Sequence, residues 1–211
     1  MDPVRLVVWS DYLCPWCYNA AHRLQVIEEE FGASLELEWR SFLLRPQPRA
    51  RSGDDARNLQ KFVRYTQSWL RPAAESDAPA FRVWESSEGP PSHSVPAHLA
   101  AKAAARLGEG AFGAFHRSLL RAYFEESRDI SDAAVLRLLW EEAGLEAAAF
   151  DAVDDPALLS DTLGQHREAQ ERGITGVPTV AVEGHEGFVT GAQALEVYRR
   201  WVTRLREGVL D

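Results

Sequence analysis

The chain has 211 residues, of which 45% are hydrophobic, enough for one large domain or for a small domain that carries an insertion. Its formal net charge of −9 gives no electrostatic basis for binding nucleic acid. No apolar run approaches the length of a membrane span, and the first residues do not resemble a signal peptide. We therefore expect a cytoplasmic protein that binds neither nucleic acid nor a membrane.

The N-terminal part of the chain predicts a βαβ unit. Residues 5–9 form a short apolar, β-branched run that is typical of a strand buried on both faces. A helical pattern runs from Pro15 towards Gly32, a residue type that commonly ends helices. Residues 35–40 alternate apolar and charged side chains, as a strand with one covered face does. A strand, a helix and a strand of these lengths are joined by a right-handed crossover.

The middle of the chain is predicted to be mostly helical. Residues 45–55 contain three arginines, two prolines and a glycine, which indicate a loop. Residues 71–96 are rich in Pro, Ser and Ala and are predicted to be irregular, although Trp84 within them suggests an exposed contact surface. Helical patterns cover residues 58–70, 97–107, 111–124, 133–143, 147–153 and 156–171.

The last part of the chain returns to strands. Residues 179–182 and 188–190 are predicted strands that pair through a glycine-rich turn. An amphipathic helix is predicted over residues 192–206. The order of elements is therefore βαβ, a helical block and then ββα.

The only two cysteines, Cys14 and Cys17, lie where the first strand meets the first helix. The free N–H groups and the positive dipole end of a helix N-terminus favour a thiolate at the first sulfur. Pro15 suits the first helical position. Cys17 is one turn further in and should be more buried, with a higher pKa. This pattern is typical of a redox dithiol with Cys14 as the nucleophile and Cys17 as the resolving thiol.

Two other interpretations of the cysteine pair remain open. A structural zinc site would need further ligands, and the sequence offers only His93 and His98, an H-x₄-H pair far downstream. These histidines could instead line a groove near the helical block. The cysteines could also be buried and inert, although a helix start and a Pro-Trp spacer argue against this. We predict that the protein binds no metal.

The sequence resembles the DsbA-type thiol–disulfide oxidoreductases of the thioredoxin superfamily, and in particular their FrnE-like branch. The resemblance rests on the motif over residues 11–18, on residues 121–126 with 129–132, and on Gly-Ile-Thr-Gly-Val-Pro-Thr over residues 173–179. It implies an α/β thioredoxin-like fold, βαβ…ββα, interrupted by a helical insertion. The thioredoxin-like domain would comprise residues 1–52 and 173–211, and the insertion domain residues 53–172.

The resemblance also implies the roles of several site residues. The Val177–Pro178 bond would be cis and would face the cysteines, so that the Val177 backbone binds an extended substrate segment. Apart from the resemblance, the residues themselves suggest three further roles. Pro15 and Trp16 would tune the redox pair, and Trp16 either offers an apolar face to substrate or simply packs. Asp11 either shuttles a proton to Cys17, caps the helix or lies solvated at the surface.

We therefore predict a thiol–disulfide oxidoreductase or isomerase that acts on protein or small-molecule thiols and disulfides. It would hold no bound cofactor, with glutathione as a candidate co-substrate. One alternative is a glutathione-dependent transferase or isomerase of the kappa or 2-hydroxychromene-2-carboxylate isomerase type, although those enzymes have a serine at the position of Cys14. Another is a non-enzymatic redox-sensing module. The sequence leaves a monomer and a homodimer equally open.

Overall fold

A four-stranded mixed sheet organises the fold in the computed structural model, which describes residues 2–49 and 55–208. Its strands are β1 (Val4–Ser10), β2 (Leu35–Ser41), β3 (Thr179–Val182) and β4 (Phe188–Thr190). Their order across the sheet is β2-β1-β3-β4. β1 pairs with β2 in parallel, whereas β3 runs antiparallel to both β1 and β4. The predicted βαβ and ββα units therefore meet in one sheet, with β1 at its centre.

Helices cover both faces of this sheet. Strand β1 is buried on both sides, as its apolar run predicts: Leu6 and Val8 face one layer, and Val7 and Trp9 face the other. The first layer is formed by α1 (Pro15–Phe31) and α8 (Leu195–Arg206). The second layer contains Ala169 of α7 (Pro156–Glu171). Because α1 packs directly on the sheet, its N-terminus is held at the end of β1.

The remaining helices build the largest apolar core of the described residues. They are α2 (Asp55–Thr66), α4 (Val95–Ala105), α5 (Glu109–Phe124) and α6 (Ala133–Glu142), whereas the short α3 (Leu70–Ala73) only follows Trp69 of this core. Trp84 belongs to this core and is only 1% exposed, so the prediction that it marks a contact surface is wrong. Its ring meets Phe62 edge-on at 5.2 Å and its Nε1 donates to the Glu88 carbonyl. Contacts from distant residues bury this side chain.

Two predicted helices differ from the structure. The segment predicted as helix over 147–153 is a 3₁₀ helix, Ala147–Asp154. It is short and must end at Asp155, which adopts an extended conformation because Pro156 follows it. The helix predicted over 58–70 ends at Thr66 and continues as a 3₁₀ turn, Gln67–Trp69, before α3.

The helical block is joined to α1 through a buried arginine. The Arg23 side chain is 2% exposed, and its Nε donates to Asp77 Oδ2 at 2.8 Å. Its Nη1 donates to the Gln193 carbonyl at 2.9 Å. Arg23 thus links α1, the segment after α3 and the loop before α8.

The two-domain division of the chain stays a prediction. Helix α7, placed in the predicted insertion, contacts both α4 and β2. Within residues 2–49 and 55–208, no helix combines the length and the apolar character that crossing a bilayer would require.

Candidate functional site

Cys14 occupies the N-cap position of α1. Its backbone is extended, with φ −97° and ψ 115°, and Pro15 takes the first helical turn as predicted. The Cys14 amide donates to the Asp11 carbonyl at 3.1 Å, and the Cys17 amide donates to the Cys14 carbonyl at 3.0 Å. The Cys14 thiol therefore lies at the open end of the helix, where backbone N–H groups and the dipole favour negative charge.

Cys17 lies one turn inside the same helix and is fully buried, whereas Cys14 is 6% exposed. Burial raises the pKa of the Cys17 thiol well above its usual value, and the neighbouring Cys14 thiol raises it further. Hydrogen bonds to the Cys17 sulfur from the Ser10 side chain and the Asp11 backbone act in the opposite direction. Cys17 is thus the more enclosed of the two sulfurs, and its pKa is raised above its ordinary value.

The loop before β3 brings Val177 to the first sulfur. The Cys14 thiol donates to the Val177 carbonyl at 3.4 Å, and the Val177–Pro178 peptide bond is cis. The loop is held by Thr179, whose Oγ1 donates to the Gly176 carbonyl at 2.7 Å. The structure therefore brings together the two motifs that lie far apart in the sequence.

Asp11 is completely buried, so the prediction of a solvated surface position is wrong. It does not cap α1 either, because its Oδ1 accepts from the Leu13 amide at 2.6 Å. Its Oδ2 accepts from the Leu44 amide at 2.9 Å. The carboxylate thus fixes the turn before Cys14 and joins it to the loop after β2. A proton shuttle at Asp11 stays a prediction.

A buried polar cluster of Asp11, Tyr12, His98 and His116 lies behind the cysteines. His98 on α4 places Nε2 at 3.7 Å from Asp11 Oδ2, so His98 does not line an open groove as predicted. Tyr12 hydrogen-bonds to His116 Nδ1 on α5 through its hydroxyl at 2.9 Å. No spacing in the sequence connects these helical residues to the cysteine motif.

His116 is neutral in this cluster at ordinary pH. Burial, and to a smaller extent the nearby Arg117 and His98, lower its pKa to about 3. The Nε2 atoms of His98 and His116 are buried and have no hydrogen-bond partner among the described residues. The cluster is therefore buried, and two of its ring nitrogens lack a hydrogen-bond partner among the described residues.

Several large apolar side chains among the described residues are exposed, and Trp16 of the cysteine motif is one of them. Trp16 is 37% exposed and belongs to none of the apolar cores of the described residues. Leu44 and Tyr65 are also exposed. Over the ranges 2–49 and 55–208, no three His, Cys, Asp or Glu side chains are grouped as ligands of a metal ion would be.

The sequence model described as the DSBA-like thioredoxin domain matches residues 5–202. This chain belongs to that family. The match confirms the predicted resemblance to DsbA-type proteins and the predicted α/β thioredoxin-like fold. Assignment to the FrnE-like branch stays a prediction.

Three relatives show how far the similarity of this DSBA-like chain extends. YwbO of Bacillus subtilis (strain 168), described as uncharacterized, is 26% identical over 202 residues, which cover 95% of this chain and 96% of YwbO. The probable DsbA oxidoreductase SCO1869 from Streptomyces coelicolor is 26% identical and has a TM-score of 0.75. The match covers 97% of this chain and 90% of SCO1869. The cytosolic disulfide reductase DsbM from Pseudomonas aeruginosa, solved with GSH, is 27% identical and has a TM-score of 0.65. The match covers 96% of this chain and 99% of DsbM.

Proposed function

We propose that this protein is a thiol–disulfide oxidoreductase in which Cys14 is the nucleophile and Cys17 is the resolving thiol. The observation that carries the proposal is the position of the Cys14 sulfur, at the open N-terminus of α1 and in contact with the Val177 carbonyl, while Cys17 is enclosed behind it. Family membership supports the same class of chemistry.

The exchange proceeds through one mixed disulfide. The Cys14 thiolate attacks one sulfur of a substrate disulfide, whose S–S bond breaks and releases the other sulfur as a thiolate. Cys17 then loses its proton and attacks Cys14, which releases the second substrate thiolate and closes the Cys14–Cys17 disulfide. The substrate gains two electrons and the dithiol loses them. The raised pKa of Cys17 keeps this thiol protonated until the mixed disulfide forms.

The Val177 backbone would orient the substrate in this step. Its carbonyl already lies against the Cys14 sulfur, and Pro178, which is buried, offers no competing N–H group. An extended substrate segment that pairs with Val177 as an added strand would place its own sulfur beside Cys14. Trp16 would supply an apolar surface next to that segment.

Glutathione is the reductant that we propose for the Cys14–Cys17 disulfide. Two glutathione thiols would reduce it and leave as glutathione disulfide, so electrons balance in the cycle. DsbM, which is described as a cytosolic disulfide reductase and was solved with GSH, supports this choice and supports a cytoplasmic location. The proposal covers protein and small-molecule disulfides alike.

Serine variants of the two cysteines test the function. We expect Cys14→Ser to lose insulin reduction and glutathione-coupled disulfide reduction, because the attacking sulfur is gone. We expect Cys17→Ser to accumulate a mixed disulfide with glutathione, seen as added mass in non-reducing mass spectrometry. The chain has no other cysteine, so any trapped adduct must be at Cys14. Ser160→Ala, at an exposed position on α7, is the control and should behave as wild type.

Each alternative function has its own outcome in this experiment. Full disulfide reduction by Cys14→Ser would overturn the proposal. Conjugation of glutathione to an aromatic acceptor that survives Cys17→Ser would support a transferase or isomerase instead. A partner that stays bound to Cys14→Ser, with no disulfide reduction in the wild type, would indicate a redox-sensing module.

A further inference from the structure

Tyr18 belongs to the helical turn that carries both cysteines. It follows Cys17 directly, and the amides of Cys17 and Tyr18 both donate to the Cys14 carbonyl, at 3.0 Å and 3.3 Å. The backbone between the two sulfurs is therefore one short hydrogen-bonded turn. Because the three residues share this turn, a shift of Tyr18 also shifts Cys17 relative to Cys14.

Aromatic rings of the helical block contact Tyr18. Tyr18 is 9% exposed and belongs to the largest apolar core of the described residues. Its ring stacks on Phe124, the last residue of α5, with ring centroids 5.5 Å apart and an interplanar angle of 17°. Phe81 meets the same ring edge-on at 5.3 Å. The residue next to Cys17 is therefore packed against the helical block.

The Tyr18 hydroxyl has a charged partner at the end of α5. It donates to Oε1 of Glu125, the C-cap residue of this helix. The Glu125 amide donates to the Arg121 carbonyl at 2.8 Å, and the Phe124 carbonyl accepts from the Arg82 amide at 2.8 Å. Backbone hydrogen bonds thus fix the end of α5, from which the Glu125 side chain reaches the phenol.

The hydrogen bond adds an orientation that ring packing does not supply. Aromatic pairs tolerate a range of centroid distances, about 4.5–7 Å, and several relative orientations. A hydrogen bond from a hydroxyl to a carboxylate is directional and about twice as strong as one between neutral groups. The bond to Glu125 therefore fixes the far end of the Tyr18 side chain, whose near end belongs to the cysteine turn.

Disulfide closure depends strictly on position. To resolve a mixed disulfide, the fully buried Cys17 sulfur must reach the Cys14 sulfur, while the S–S bond to the substrate breaks and the substrate leaves as a thiolate. Disulfide geometry is specific, and a misplacement of about 1 Å can slow a reaction between held groups about a hundredfold. A contact that holds the cysteine turn therefore affects the closing step.

We propose that Glu125, acting through the Tyr18 hydroxyl, is a positioning residue for the resolving thiol Cys17. This inference rests on the proposed disulfide exchange at Cys14. The hydrogen bond holds the cysteine turn so that the Cys17 sulfur stays within reach of the Cys14 sulfur when Cys14 carries a substrate. The helical block thereby takes part in disulfide closure, and the motif over residues 121–126 acquires a role in the site.

Ellman's reagent, a small aromatic disulfide, separates the two steps in the reduced protein. With one equivalent, attack by Cys14 releases a first coloured thiolate, and closure by Cys17 releases the second. We expect Tyr18→Phe and Glu125→Ala to slow the second release about tenfold and to leave the first unchanged, because a hydrogen bond to a charged group is lost. Glu125→Gln keeps an oxygen acceptor and should close at the wild-type rate.

Glu126→Ala is the matched control. This neighbouring carboxylate pairs with Arg121 and Arg128, so its removal changes the local charge equally without touching the phenol's hydrogen bond. Both releases should keep their wild-type rates in this variant. A tenfold lower effective concentration of Cys17 also raises the reduction potential of the cysteine pair by about 30 mV, measured in a glutathione buffer, and we expect this shift in Tyr18→Phe alone of these two variants.

Several outcomes would overturn the positioning role. They are closure of Tyr18→Phe at the wild-type rate, equal slowing of both releases, and equal slowing of closure by Glu125→Ala and Glu126→Ala. Slow closure in Glu125→Gln would overturn it too, since charge and not the hydrogen bond would then matter. A wild type that closes its disulfide with Ellman's reagent but reduces neither insulin nor glutathione disulfide would overturn the proposed function and retain the positioning role.

Discussion

His98 Nε2 lies 3.7 Å from Asp11 Oδ2, and both side chains are buried behind the cysteine motif. Asp11 belongs to the turn that follows β1, whereas His98 belongs to α4 in the helical block. The carboxylate also accepts the Leu13 and Leu44 amides. The helical block therefore does more than cover the sheet, since it supplies a polar group next to the carboxylate that fixes the turn before Cys14.

This arrangement predicts that Asp11→Asn destabilises the protein. An amide can accept only through one oxygen, so its NH₂ group would face one of the two backbone donors and leave that donor unsatisfied. A buried donor without a partner costs about 1–3 kcal/mol. We expect a loss of this size in the free energy of unfolding measured with urea.

Asp151→Asn is the matched control for this change. Asp151 is exposed and pairs with Arg137 at the surface, where a single ion pair contributes less than about 1 kcal/mol. Equal stability of Asp11→Asn and Asp151→Asn would show that the carboxylate does not hold the turn.

The burial of Cys17 and its raised pKa predict that alkylation selects Cys14. With reduced protein and limiting iodoacetamide, we expect peptide mass spectrometry to find Cys14 modified at least about tenfold faster than Cys17, since one unit of raised pKa already lowers the thiolate fraction about tenfold. Burial of Cys17 adds to the difference. In denaturant the two rates should converge. Equal rates in the folded protein would contradict the assignment of Cys14 as nucleophile.

The sequence could predict the elements that carry their own local pattern. Strand β1, helix α1 and the late strands each show a periodicity or a stop signal within a few residues, and the spacing of Cys14 and Cys17 is local too. The solvated and capping positions predicted for Asp11 are wrong because its carboxylate accepts from the Leu44 amide, 33 positions away. The contact between Tyr12 and His116 spans 104 positions, and no pattern in either segment indicates it.

Arg23 offers a test of how α1 is held in place. Removing one partner of a fully buried ion pair costs about 3–5 kcal/mol. Since Asp77 is partly exposed, we expect a smaller loss of about 2–3 kcal/mol in the unfolding free energy of Arg23→Leu. Arg199→Leu removes a surface arginine that pairs with Glu30 and should change stability little. If both variants unfold at the same urea concentration as wild type, Arg23 does not join the segments it contacts.

The lowered pKa of His116 predicts how the stability of the folded protein depends on pH. Its pKa is about 3 in the folded protein, against an ordinary value of 6.5. Below about pH 6.5 the unfolded chain binds a proton at this residue and the folded protein does not, so stability falls as pH falls from about 6.5 towards 3. Between about pH 7 and pH 5 this loss amounts to about 2 kcal/mol.

The variant His116→Gln should lose less stability over that interval than wild type does, by about 2 kcal/mol, because glutamine takes up no proton in either state. Urea unfolding at both pH values measures this difference directly. His93 and His166 also have lowered pKa values through burial, but they are present in both proteins and cancel in the comparison. His22→Gln, at an exposed position, controls for the loss of any histidine and should keep the wild-type dependence. An identical pH dependence in His116→Gln and wild type would mean that His116 binds a proton as readily in the folded protein as in the unfolded chain, which its enclosure between Tyr12, Trp39 and Phe112 opposes.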